Sequence, residues 1–187
     1  MLYDLKTTPS VKLNRNIMIL GLLIFIPVYT YIFQFFGKMG IETSRFNEVW
    51  ISFDTNAFEA FFRNITDQGQ LETFIWTFNL NLISMTGFML LFFALSLMVA
   101  RQIPVTSRLA KTAFMFPWIA IMIGILDIIP TMVFLFNASS IPTLASGVIF
   151  IISGGYMVRV IMLYGLLLWM IISGVIIFRS RIEKAKA

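Results

Sequence analysis

Ala113-Phe-Met-Phe-Pro-Trp-Ile-Ala-Ile-Met-Ile-Gly-Ile-Leu-Asp127-Ile-Ile-Pro-Thr-Met-Val-Phe-Leu-Phe-Asn137 is an apolar run with a single carboxylate inside it. A helix needs about 20 consecutive apolar residues to cross a bilayer, so this stretch places the chain in lipid. An acid in hydrocarbon costs several kcal/mol unless it is paired, protonated or wetted. Asp127 therefore needs a partner or a purpose.

Composition agrees. A chain that is 59% hydrophobic and 12% charged, with a mean hydropathy of +0.89, has more apolar surface than a soluble core can hide. The expected fold class is all-α, an integral membrane four-helix bundle, and the length of 187 residues suits one membrane domain over 1–187. There is no cysteine and no histidine. Their absence removes disulfides, thiolate chemistry, the usual zinc, copper and haem ligand and the commonest general base. No cofactor, no metal and no enzyme activity are expected. Twelve methionines scattered through the spans lack the clustering a soft-metal site needs.

Working outward from the central run, residues 101–112 form a short basic turn carrying Arg101, Arg108 and Lys111, with Pro104 stopping the preceding helix. Before it, 74–100 reads as the second span and 16–36 as the first, kinked at Pro27. Between those two lies the polar segment 37–73, with three basic residues against six acidic, a net −3. Within it Asp54 or Thr55 can cap a short helix whose Phe58, Phe61, Phe62 and Ile65 recur at helical spacing. That pattern predicts a short amphipathic outer-face helix, lying on the membrane or capping the bundle.

The last apolar region, 141–178, is too long for one straight span across a ~30 Å core. Ser153-Gly154-Gly155 is the natural break. The expected division is an interfacial or re-entrant helix over 142–152, opened by Pro142, then a fourth span over 156–178 and a basic tail over 179–187. Whether 142–155 is re-entrant or an extension of the fourth span stays open at this point.

The basic segments before the first span, between the second and third, and after the fourth all fall on one side of a four-span map. The positive-inside rule then puts both termini in the cytoplasm. Sorting by side of the membrane also explains the net charge of +5 without nucleic acid.

Depth along the helices groups the polar residues. Ala120, Gly124, Asp127 and Thr131 make one stripe on the third span, the kind of face that packs closely in a bundle. Arg159, near the outer end of the fourth span, is long enough to reach Asp127, or it snorkels to the headgroups. Asn81 and Ser84 from the second span, and Thr30 and Gln34 from the first, share that depth. Together these seven residues, Asp127, Arg159, Asn81, Ser84, Thr131, Thr30 and Gln34, form the candidate polar cluster or ligand pocket.

From the second span onward the layout resembles a loosely defined set of uncharacterised prokaryotic four-span membrane proteins. In those, the third span carries an acid in an Asp-x-x-Glu-Asn-like motif and the fourth starts with a basic residue. Asp127 matches the acid and Arg159 the basic residue, while Pro130 and Thr131 stand where Glu and Asn would be. The resemblance implies the topology and links Asp127 to Arg159; it implies no activity.

Three roles compete for the cluster: hydrogen bonding that holds the bundle together, a pocket for a lipid or small molecule, and a face for a partner helix. The expected function is a non-enzymatic accessory or structural subunit of a membrane complex, with a membrane-protein partner or a second copy of the chain. The alternative is a lipid or small-molecule binding or transport protein with an outward-facing pocket around Asp127.

Overall fold

The computed structural model describes residues 4–186. Among them there are no strands, and six helices carry the fold: α1 (Val11–Lys38), α2 (Thr43–Ile51), α3 (Thr55–Asp67), α4 (Leu71–Gln102), α5 (Phe116–Phe136) and α6 (Ser146–Lys186). Four of these, α1, α4, α5 (with the turn that leads into it) and α6, are long and apolar enough to cross a membrane. The protein is an all-α, multi-pass membrane protein.

Helix ends follow local chemistry. The Ser10 side chain accepts from Leu13 N at 3.2 Å to open α1, and Asp54 accepts from Asn56 N at 2.9 Å to open α3. Gly40 and Gly69, with φ of 65° and 67°, close α1 and α3 through the left-handed conformation that glycine adopts without strain. Pro117 starts α5 where a missing N–H costs nothing.

The four long helices pack in chain order as a row. α4 lies between α1 and α5, α5 lies between α4 and α6, and the edge helices α1 and α6 make no comparable contact with each other. Small residues set the spacing. A Cβ added at Gly21 would meet the backbone of Leu91, and one at Gly87 would come within 2.6 Å of Phe25 N, so α1 and α4 touch backbone to backbone. At the α4–α5 crossing Gly124 receives the Met89 side chain, and at the α5–α6 crossing Gly155 receives the ring of Pro130.

That last contact corrects the reading of 142–155. Residues 146–152 are the first turns of α6, and the helix runs unbroken through Ser153-Gly154-Gly155. In a membrane helix the backbone bonds have no water to exchange with, so glycines serve as packing sites rather than breaks. Pro142 does not open a helix either; α6 begins four residues later. At its far end α6 continues into the basic tail, where Arg, Ser, Ile, Glu, Lys and Ala include neither Gly nor Pro to break it. Of that tail, the side chains of Lys184 and Lys186 and all of Ala187 lie outside the described residues.

The hollow between the edge helices is filled at one end by α2 and α3, the cap. The single amphipathic helix expected in 37–73 is a pair, and it buries its apolar face in the bundle. Phe58 and Phe62 are fully buried, and Phe61 and Ile65 nearly so. Trp50 sits at the centre, with the rings of Phe46, Phe58, Phe78 and Phe134 at 4.1, 5.2, 5.6 and 6.2 Å. These stacked and tilted contacts add to the burial of large apolar surface. At the opposite, basic end, Arg101 donates to Leu5 O and Pro9 O at 3.0 and 2.7 Å and ties the N-terminal segment to α4. Arg181 reaches Gln102 at 2.7 Å.

Candidate functional site

Asp127 lies nine residues before the end of α5 at Phe136, about 14 Å into the helix row from the cap end. It is held from three sides. Arg159 Nη1 of α6 donates to its Oδ1 at 2.7 Å, and Asn81 Nδ2 of α4 donates to its Oδ2 at 3.3 Å. One turn further along α5, Thr131 Oγ1 donates to the Asp127 carbonyl at 2.8 Å and receives Asn81 Nδ2 at 3.4 Å. The acid is therefore paired and doubly hydrogen-bonded, which removes most of the cost of placing it at this depth.

The pair is lopsided. The Asp127 side chain is 7% exposed and that of Arg159 is 21%, because the guanidinium borders a cavity of about 120 Å³. Tyr156, one turn before Arg159, lies under the guanidinium at 5.1 Å and donates its hydroxyl to Asn47 Oδ1 of α2 at 2.6 Å. The cavity floor comes from Asn81 and Thr77 on α4 and Asp127 and Thr131 on α5, its roof from Asn47 and Trp50 on α2. Its sides are Tyr29, Ile32, Phe33 and Phe36 on α1 and Tyr156 and Arg159 on α6. Tyr29 and Phe33 remain 46% and 54% exposed. Both α1 and α6 line the cavity without packing substantially on each other.

Of the seven expected residues, four meet here: Asp127, Arg159, Asn81 and Thr131. The stripe Ala120, Gly124, Asp127 and Thr131 is buried along its length. Ser84 is fully buried on α4, has no partner among the described residues and does not line the cavity. Thr30 and Gln34 are exposed and face away; α1 presents Tyr29, Ile32, Phe33 and Phe36 instead. Residue polarity misleads near a span end, where polar side chains reach headgroups as readily as a core. Tyr156 and Asn47 escaped the sequence reading. Tyr156 carries a signal, its spacing of three from Arg159. Asn47 carries none, since nothing in 43–51 marks a helix that folds back into the bundle.

Among the described residues no group of His, Cys, Asp and Glu is arranged to hold a metal ion. The architecture defines a multi-pass helical membrane protein with a polar, aromatic-walled cavity beside a buried ion pair. No family, curated protein or solved structure matches the chain.

Proposed function

We propose that this chain is a non-enzymatic membrane protein that binds a small amphiphilic molecule, taken from the bilayer through the gap between α1 and α6. One observation carries the reading: a cavity with a charged and amide-lined floor is walled on α1 by Tyr29 and Phe33, which remain 46% and 54% exposed on a helix apolar enough to cross a membrane. A molecule with a polar head and an apolar tail fits such a site, its head inside and its tail left in hydrocarbon. The resemblance to uncharacterised four-span proteins adds weight to Asp127 and Arg159 as a linked couple.

The reading includes an orientation. The basic residues of the N-terminal segment, the 101–112 turn and the α6 end gather at one end of the row, and the acidic cap covers the other. With the positive end in the cytoplasm, the cavity opens into the outer leaflet.

An accessory role in a membrane complex is the second reading. It is favoured by α1, which packs mainly on α4 and has only 11% of its most apolar stretch buried, leaving a wide face for another chain. Extraction in a mild detergent followed by mass spectrometry separates the two. A retained small molecule that disappears in Thr43→Phe, a substitution at the cavity wall, supports the first; a stoichiometric polypeptide with no small molecule supports the second.

A further inference from the structure

Resting on the pocket reading above, the chemistry of the cavity specifies the head group. Among the described residues the charged ones that line it are Asp127 and Arg159, and they neutralise each other at 2.7 Å. A charged head would leave one net charge uncompensated at membrane depth, which hydrocarbon strongly disfavours. The head is therefore neutral.

It also has to accept hydrogen bonds. Arg159 spends one nitrogen on Asp127, and among the described residues its Nε and Nη2 have no hydrogen-bond acceptor. Asn47 accepts from Tyr156 through Oδ1, which leaves its Nδ2 likewise without an acceptor. Both residues touch Tyr156, Arg159 at its ring and Asn47 at its hydroxyl, and both line the cavity. Donors without a protein acceptor gain from one supplied by an occupant, so an occupant with carbonyl oxygens is favoured here.

The walls add shape. Tyr29, Phe36 and Trp50 line the space of about 120 Å³, and aromatic walls favour a flat, unsaturated ring by offset stacking. We infer that the cavity binds a quinone-type head: a neutral planar ring with carbonyl acceptors, facing Arg159 and Asn47, whose isoprenoid or alkyl tail leaves between α1 and α6. The occupant is bound as a molecule; no electron transfer is assigned to the chain.

The test is a titration of the purified full chain in detergent with decylubiquinone, reading the part of the tryptophan fluorescence that Trp50→Phe removes. Dodecyl phosphate and dodecyltrimethylammonium serve as anionic and cationic probes. The expected result is saturable quenching by the quinone alone, weakened about tenfold in the double variant Asp127→Asn/Arg159→Gln, which stays neutral but loses the guanidinium. Saturation by a charged probe and not by the quinone overturns the head group and leaves the pocket reading intact. Saturation by none of the three, with the protein folded by circular dichroism, overturns the pocket reading as well. Quinone binding that is undiminished in both the double variant and Asn47→Leu overturns the assigned donors.

Discussion

Arg159 Nη1 donates to Asp127 Oδ1 at 2.7 Å, joining α6 to α5 at the depth where both helices border the cavity. The bond does two things. It makes an acid tolerable in the bundle, and it fixes a guanidinium at the edge of a space with aromatic walls and an amide- and hydroxyl-lined floor.

Breaking the pair from either side leaves a charge without its partner. Asp127→Asn and Arg159→Gln are each expected to destabilise the protein by about 2–3 kcal/mol, below the ~3–5 kcal/mol of fully buried pairs because Arg159 borders open space. The double variant is expected to recover at least about 1 kcal/mol of the summed loss. Thermal denaturation of the four proteins in one detergent measures the coupling. Strict additivity of the two losses contradicts the pair.

Glycines at the crossings are expected to matter by position. Gly87→Val drives a side chain into the Phe25 backbone and Gly155→Val into the Pro130 ring, each costing about 1–3 kcal/mol by overpacking. Gly165→Val enters open space and is expected to be neutral or mildly stabilising for a helix. Midpoints of thermal aggregation in detergent rank the three, and a Gly165 variant as damaged as Gly155 contradicts the row of helices.

Trp50→Ala removes the centre of the cap and is expected to cost about 3–5 kcal/mol. The loss is local first. Limited proteolysis is expected to cut within 37–73 before it reaches the long helices, because α2 and α3 are held to the row largely through that aromatic cluster. Simultaneous loss of the long helices contradicts a separable cap.

The cysteine-free chain makes sidedness easy to read. A cysteine at Ser139, exposed at the cap end, is expected to react with an impermeant thiol reagent from outside intact cells, and one at Thr106, exposed at the basic end, only after permeabilisation. The reverse pattern contradicts the orientation and moves the cavity to the inner leaflet.

How much of this was legible depends on what each residue faces. The stripe Ala120, Gly124, Asp127 and Thr131 was readable because a 3.6-residue period of small and polar residues has few uses in a membrane other than packing. Asp127 and Arg159 could be linked because leaving either alone is costly. The same logic failed for Thr30 and Gln34, whose polarity reflects their place near a span end, whereas the inward face of α1 there is aromatic and aliphatic. Gly154-Gly155 read as a break because glycine interrupts helices in water; between α5 and α6 it permits the Pro130 contact. For α2, nine residues of mixed polarity, only tertiary packing on the other cap residues explains why it folds inward. The cavity follows from that placement, so neither its roof nor Asn47 could be read in advance.

The most direct test of a laterally open cavity for a membrane-borne molecule is site-specific photocrosslinking in native membranes. Benzoylphenylalanine would be placed at Phe33, at the mouth, and at Ile161, on the exposed face of α6 as a control for bulk lipid. Position 33 is expected to capture a particular small molecule, identified by mass on the intact chain, that position 161 does not capture. Capture of a polypeptide at position 33, or the same bulk-lipid adducts at both positions, would contradict it.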